Sequence, residues 1–245
     1  MWTRKQLKSN AKLVLKQSYW KALLVSFILS MVTGGGSGFS AGSSADEIDF
    51  DAITSGIDPE IVIAAVIGII TIVLGVIVFT TAFSIFAGAP LEVGAQRYFL
   101  ESTQYRFNIK DVGYAFGCGH YGNIVVTMFL RGLYTTLWTF LFIIPGIVKS
   151  YSYSLVPFIL AENPSLSPNQ AITLSRKMTR GHKFNMFVLD VSFWGWYLLG
   201  ALLFFVGILF VTPYYNSTRA QLYLALRSIA IDKGVVSLEE LEGKR

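Results

Sequence analysis

IVIAAVIGIITIVLGVIVFTTAFSIFAGAP, residues 61–90, is the most informative segment of the chain, because thirty consecutive positions carry no charged side chain. A helix of that length extends about 45 Å, whereas the hydrocarbon core of a bilayer takes about 20 helical residues. A buried helix of a soluble protein is rarely so long and so uniformly apolar. The segment therefore predicts a helix that crosses a membrane.

The composition of the whole chain agrees with this prediction. Of 245 residues, 53% are hydrophobic and 14% are charged, and the mean hydropathy is +0.54. Soluble domains carry about 25% charged residues, so this chain has too little charge to cover a water-facing surface. We expect an all-α, polytopic transmembrane helical bundle. The net charge of +5 lies in segments between apolar runs, where it meets lipid headgroups and sets topology rather than binding nucleic acid.

The first 21 residues contain six basic residues and no acidic one. Lysines recur on one helical face and apolar residues on another, which predicts an amphipathic interfacial helix over residues 1–21; the lysines are Lys5, Lys8, Lys12 and Lys16, and the apolar face holds Leu7, Ala11, Val14, Leu15 and Ser18. Residues 22–33 then form a first membrane span. The alternative is a secretory signal peptide with a cleavage site near residues 43–45.

Residues 34–60 form a Gly- and Ser-rich segment with six acidic residues and no Lys or Arg. Basic residues stay in the cytoplasm, so this asymmetry predicts a cytoplasmic N-terminus and an external acidic loop. Numbered from Asp49 as a calcium loop, the segment has Ile53 at a ligand position and Thr54 where glycine is needed. We expect a solvated loop rather than a calcium site, and we expect no cofactor or metal.

The rest of the chain predicts about six membrane helices within residues 22–228, with both termini in the cytoplasm. The second span ends or kinks at residues 88–90, and residues 91–122, which are mixed in charge, form a cytoplasmic loop. The third and fourth spans (123–144 and 147–161) form a hairpin that turns at Pro145 and Gly146. A capping box opens a cytoplasmic amphipathic helix over 167–181. The fifth span covers 184–206, Gly207 forms an external turn, and Pro213 interrupts the sixth, 208–228. Residues 229–245 form a short cytoplasmic tail; five spans with an external tail is the competing topology.

Several short blocks resemble a known family. They are residues 143–150 (IIPGIVKS), 153–160 (YSLVPFIL), 181–183 (GHK), 193–196 (FWGW) and 213–215 (PYY). Together they are similar to the bacterial membrane-protein family known as domain of unknown function nine-seven-five, from about residue 3 to 226. The resemblance implies a six-helix protein of the bacterial cytoplasmic membrane with no assigned catalytic residue. That family is loosely similar to the membrane portion of some glycerophosphodiesterases, but this chain has no counterpart of their catalytic part.

Away from the ends of the predicted spans lie three charged residues, Arg131, Asp190 and Arg219. An intramembrane charge costs about 3 kcal/mol on insertion scales, so each is a candidate for an ion pair or a coupling site. Arg131 and Asp190 lie at similar depth from the cytoplasmic helix ends, which predicts that they pair. Arg219 is the other candidate partner of Asp190.

Two polar clusters are candidates for a cavity if they face one another. The first comprises Ser150, Tyr151, Ser152 and Tyr153, and the second comprises Asn216, Ser217 and Gln221. The alternative for the first cluster is the wet end of a helix, where tyrosines accumulate at the interface. For the second, the alternative is burial against neighbouring helices.

The chain lacks the phosphate-binding loops, nucleophile elbows and zinc-binding helices that mark common enzymes, so we expect no enzymatic activity. The leading hypothesis is an accessory, regulatory or envelope-protective protein that acts through membrane lipids, a membrane-protein partner or a homo-oligomer. The alternative is a small transporter or lipid translocator that uses the intramembrane charges.

Overall fold

The structure is a computed structural model that describes residues 2–32, 58–202 and 206–242. Within these residues all regular secondary structure is helical. The elements are α1 (Arg4–Val32), α2 (Pro59–Phe83), a π-helical turn (Ser84–Gly88), α3 (Ala89–Thr103), a 3₁₀ turn (Ile109–Gly113), α4 (Tyr114–Gly117), α5 (Tyr121–Leu141), α6 (Ile143–Tyr153), α7 (Val156–Glu162), α8 (Pro168–Thr179), α9 (Lys183–Leu202), α10 (Val206–Asp232) and α11 (Leu238–Glu242).

Within the residues that the structure describes, three helical segments are long and apolar enough to cross a membrane, where the whole sequence predicts about six spans. They are Glu60–Thr103, Tyr121–Leu141 and Ile143–Glu162. The predicted external loop lies outside the described residues except for its last three, 58–60. There Pro59 occupies the first turn of α2 and Glu60 lies at its positive end, as expected for a helix start.

The amphipathic segment 1–21 and the first predicted span form one helix, α1, with a kink at Ser18, whose backbone is non-helical. The apolar face predicted to lie on lipid is buried against the protein instead, mainly against α10; its members are Leu7, Ala11, Val14, Leu15 and Ser18. The face was identified by its periodicity, but the surface that covers it is protein.

The long apolar helix was expected to end or kink at residues 88–90, and it does not end there. It passes through the π-helical turn Ser84–Gly88 into α3. Pro90, which has no backbone N–H to donate, lies within this continuous helix, and the carbonyl oxygen of Phe86, four residues before it, accepts from the Tyr121 hydroxyl at 2.6 Å. Residues 91–103 are therefore a buried helix rather than the predicted cytoplasmic loop.

The hairpin of α5 and α6 turns at Phe142, whose backbone is extended, and not at Pro145 and Gly146. Pro145 lies in the first turn of α6, where its missing N–H removes no helical hydrogen bond. Gly146 faces α5 so closely that an added Cβ would lie 2.6 Å from the Thr139 Cα. The glycine is used for close packing of the two arms rather than for the turn.

Helices α9 and α10 form a second close pair. A Cβ on Gly200 would lie 2.8 Å from the carbonyl carbon of Gly207. Gly207 belongs to the first turn of α10 rather than to the predicted external turn. The helix α10 also continues through Pro213 without interruption, so the predicted break there is wrong.

The cytoplasmic helix predicted over 167–181 appears as α8, and the Ser167 backbone N–H donates to the Gln170 side chain at 3.1 Å, one arm of the capping box. The predicted tail 229–245 is partly folded, since α10 reaches Asp232 and α11 follows. Leu241 of α11 is fully buried.

The tightly packed core lies where α3, α7, α8 and the second half of α10 meet. Its largest fully buried side chains include Tyr98, Phe99, Ile159, Leu222 and Tyr223. The helix α2 lies outside this core, with Ile72, Val78 and Phe79 each about two-thirds exposed or more at 68%, 68% and 71%. The protein thus combines a packed core with apolar helices that leave it.

Candidate functional site

Asp190 is the centre of a polar cluster formed by three helices. The Tyr151 hydroxyl from α6 donates to Oδ2 at 2.9 Å, and the Tyr215 hydroxyl from α10 donates to Oδ1 at 3.3 Å. Arg219, one turn further along α10, places a guanidinium nitrogen 3.7 Å from the same Oδ1. The carboxylate therefore has two hydroxyl donors and one cation around it.

The i, i+4 spacing of Tyr215 and Arg219 aligns both side chains with α9. The side chains of Arg219 and Asp190 are 13% and 20% exposed. At 3.7 Å the pair is an ion pair without a direct hydrogen bond, and the tyrosine hydroxyls supply the hydrogen bonds to the carboxylate. This arrangement connects α6, α9 and α10 through one buried charge.

The predicted Arg131–Asp190 pair does not form. The Arg131 guanidinium donates instead to the Glu92 carboxylate of α3 at 2.8 Å. Glu92 was assigned to a cytoplasmic loop because the apolar helix was expected to end before it. The continuation of that helix brings Glu92 beside α5, so Arg131 takes the nearer carboxylate and Asp190 takes Arg219.

A cavity of about 600 Å³ opens beside the Glu92–Arg131 pair. The π-helical turn forms part of its wall through Ser84 and Gly88, and Ser150 contributes a hydroxyl from α6. A π-helical turn displaces the backbone register by one residue and frequently occurs at functional sites. The cavity thus joins an irregular backbone to an ion pair between α3 and α5.

The two predicted polar clusters do not form one cavity. Their members have separate partners. In the first cluster Ser150 lines the Glu92 cavity, Tyr151 binds Asp190, the Ser152 carbonyl accepts from Ser175, and Tyr153 packs near Tyr134. In the second cluster the Asn216 side chain donates to Ser26, Ser217 is buried in α10, and Gln221 is half-buried. Of the first cluster, Tyr151 approaches the helix of the second: at Asp190 it meets Tyr215 and Arg219, which lie on α10 but belong to neither predicted cluster.

A third polar cluster was not predicted from the sequence. The Tyr223 hydroxyl donates to Glu162 at 2.7 Å, and the Arg227 Nε lies 3.2 Å from the same carboxylate oxygen. The Arg97 guanidinium donates to the Ala161 carbonyl at 2.7 Å beside them. The available signal was the i, i+4 spacing of Tyr223 and Arg227 on one face of a helix.

Metal binding has no evident site in the part of the chain that the structure describes, since no three His, Cys, Asp or Glu side chains converge there. Cys118 is a free, half-buried thiol, and its Sγ lies 3.5 Å from the Ala115 carbonyl.

Comparison with protein families gives a match to part of the chain. Residues 142–230 match the model of a family described as "Protein of unknown function (DUF975)". The matched segment runs from the turn of the α5–α6 hairpin to the end of the buried part of α10, and so includes Tyr151, Asp190, Tyr215 and Arg219. No curated protein and no solved structure matches the chain.

Proposed function

Because residues 142–230 carry the sequence pattern of that family, we propose that this chain is a non-enzymatic protein of the bacterial cytoplasmic membrane. It acts through lipid or protein contacts at its apolar surface, as an accessory, regulatory or envelope-protective protein. The observation that carries the proposal is the exposure of α2.

Helix α2 leaves almost all of its apolar side chains uncovered. From residue 61 to 81 every position is exposed except the half-buried Val62, and the helix extends about 38 Å for its 25 residues. Burying apolar area is worth about 25 cal/mol per Å², so a surface of this size requires lipid or another membrane protein. A second copy of the chain would also satisfy it.

The Asp190 cluster supports a structural use of intramembrane charge. Its carboxylate already has two tyrosine hydroxyls and one guanidinium as neighbours. A coupling site for transport must release and take up an ion or proton, whereas a carboxylate with three neighbours inside the bundle holds three helices together.

The test changes the side chains that α2 exposes but keeps the length and the apolar character of the helix. Residues 61–81 are exchanged for a Leu/Ala sequence of equal length, and the tagged protein is recovered in lipid nanodiscs for mass spectrometry. We expect the native chain to retain a stoichiometric protein partner or a second copy, and the exchanged chain to lose it. A control exchanges the exposed Leu198 and Leu199 of α9 for Ala. Equal recovery of partners by native and exchanged chains contradicts the proposal.

We also propose six membrane spans with both termini in the cytoplasm, on the charge asymmetry of residues 1–21 and 34–60. The test introduces single cysteines into a Cys118→Ser background. In intact cells an impermeant thiol reagent is expected to label Ser44→Cys and to spare Lys110→Cys until the membrane is opened. The reverse pattern, or labelling of both, contradicts this topology.

A second candidate function, transport, rests on the cavity beside Glu92 and Arg131. Its volume of about 600 Å³ would hold a small solute, and the π-helical turn supplies irregular backbone at its wall. Proteoliposomes containing a pH-sensitive dye would report proton flux. Transport through this site predicts flux that Glu92→Gln abolishes in a folded protein; absence of flux with the native chain argues against it.

A further inference from the structure

Five basic side chains line one cavity of about 380 Å³ where α6, α8 and α9 meet. They come from three helices and the turn between two of them: Lys149, Arg176, Lys177, Arg180 and Lys183. Ser152 and Thr173 complete the lining, so none of its described lining residues is acidic. The site lies outside the Asp190 cluster.

The chain path explains why so many cations converge. Helix α8 carries Arg176 and Lys177 in its last turn, and Gly181, with φ of +82°, reverses the chain directly after Arg180. Helix α9 then begins at Lys183 with no acidic residue in its first turn. The negative end of α8 and the positive end of α9 thus both lie near this cavity, so their fields oppose each other and the side-chain cations set its sign.

Little negative charge offsets these cations. Lys177 lies 3.9 Å from Glu240 of α11 in a pair whose side chains are 43% and 49% exposed, which is a weak interaction in water. The Lys149 ammonium lies 4.5 Å from the centre of the Trp138 ring, a contact that attracts a cation without neutralising it. Burial, with the charges of Lys149 and Arg176, lowers the pKa of Lys183. The fold therefore holds the five cationic side chains close together although they repel one another.

We propose that this cavity binds a phosphate group, in the form of an acidic phospholipid headgroup or a free phosphate ester. Phosphate presents several acceptor oxygens, which match guanidinium and ammonium donors arriving from different directions. Basic pockets beside membrane helices on the cytoplasmic side are suited to acidic headgroups. Bound phosphate would supply the counter-charge that the protein omits.

The lipid source fits the surroundings of the site. Trp138 and the exposed Ile147 and Val148 lie on the same hairpin as Lys149, so apolar surface continues from the cations towards the turn at Phe142. A phospholipid can place its phosphate on the cations and its acyl chain on this apolar surface, whereas a free phosphate ester contacts only the cations. The inference rests on the proposed function, in which the protein acts through lipid contacts, and names the lipid group involved.

The experiment uses the full-length protein purified in mild detergent. Native mass spectrometry measures retention of phosphatidylglycerol against phosphatidylcholine, and thermal unfolding measures stabilisation by glycerol 3-phosphate against chloride at equal ionic strength. Preferential retention of phosphatidylglycerol supports a lipid headgroup site. Stabilisation by glycerol 3-phosphate with no lipid preference supports a free phosphate site.

Substitutions tie either signal to the cavity. Arg180→Gln combined with Lys183→Gln is expected to weaken binding of the phosphate ligand by about tenfold, because charge-assisted hydrogen bonds to the phosphate are lost. The matched control, Arg106→Gln with Lys110→Gln, also replaces one arginine and one lysine but at exposed positions outside the cavity lining, and it is expected to leave binding unchanged. Arg180→Lys, which keeps the charge, is expected to retain most of the binding.

Thermal unfolding without ligand gives a second readout, because removing a repelled cation should raise stability. We expect Lys183→Gln to unfold at a higher temperature than the native chain in phosphate-free, lipid-poor detergent. Absence of binding in both arms, or equal binding by the cavity variant and its control, overturns the phosphate site. The partner-recovery experiment on α2 does not depend on this cavity. A failure of the phosphate site therefore leaves the proposed function untouched.

Discussion

Replacing Asp190 with Asn tests the central ion pair, because it removes one charge and changes the shape very little. Asn retains a carbonyl acceptor for one of the hydroxyls of Tyr151 and Tyr215 but leaves Arg219 without a counter-charge. Breaking a buried ion pair on one side costs about 3–5 kcal/mol. The charged atoms of Asp190 and Arg219 are 3.7 Å apart and their side chains are up to 20% exposed. We therefore expect Asp190→Asn to lower the free energy of unfolding by about 3 kcal/mol, the lower end of that range.

The assay is reversible unfolding in mixed micelles of a mild detergent and sodium dodecyl sulfate, followed by circular dichroism. A double-mutant cycle gives the coupling: Asp190→Asn with Arg219→Gln should destabilise less than the sum of the single changes, by about 1–3 kcal/mol. Arg131→Gln is the matched control, because Arg131 pairs with Glu92. Its effect should add to that of Asp190→Asn within about 0.5 kcal/mol.

Two results would refute this reasoning. Coupling of Asp190 to Arg131 rather than to Arg219 would restore the pairing expected from helix depth alone. A native-like stability of Asp190→Asn would mean that the carboxylate contributes no counter-charge to the bundle.

Three further predictions concern the packing, the pH dependence and the third cluster. Gly200→Ala should destabilise the protein by about 1–3 kcal/mol through overpacking, whereas Gly195→Ala, whose Cβ would meet nothing within 4 Å, should be neutral or stabilising in the same unfolding assay. Burial, with a smaller contribution from Lys233, lowers the pKa of His182 from 6.5; the folded state therefore disfavours protonation, and thermal stability should fall as pH drops below about 6.5. His182→Gln should flatten that dependence, and an unchanged pH profile would contradict it. Tyr223→Phe removes the 2.7 Å hydrogen bond to Glu162 and should cost about 1.5–3 kcal/mol; chemical unfolding that shows no loss would contradict that role.

The covered side of α1 was predictable because it depends on local periodicity. Residues at helical spacing share a face whatever covers it, so the pattern indicated Leu7, Ala11 and Val14 before the partner was known. The capping box at Ser167 was predictable for the same reason, since both of its residues lie within one turn. What the periodicity could not indicate was that protein, rather than lipid, covers the face of α1.

Helix boundaries were less predictable at proline and glycine. Pro145 and Pro213 were expected to break helices, but Pro145 falls in a first turn and Pro213 lies inside α10, where the Tyr19 hydroxyl of α1 donates to the nearby Phe210 carbonyl at 3.1 Å. Gly207 was expected in a turn, but its lack of a side chain allows α9 and α10 to approach. The same residue type serves a bend or a close contact, and the neighbouring helix determines which.

Composition and the order of charges thus predict an all-helical protein with helices long and apolar enough to cross a membrane, because both depend on the transfer of single residues from water. The pairing of charges depends on the rotation and the length of helices distant in the chain. One misplaced helix end, at residues 88–90, was enough to hide Glu92 and assign Arg131 to the wrong carboxylate. The tertiary packing selects the partners, since an ion pair inside a bundle forms only where two helix faces bring the charges within a few ångströms.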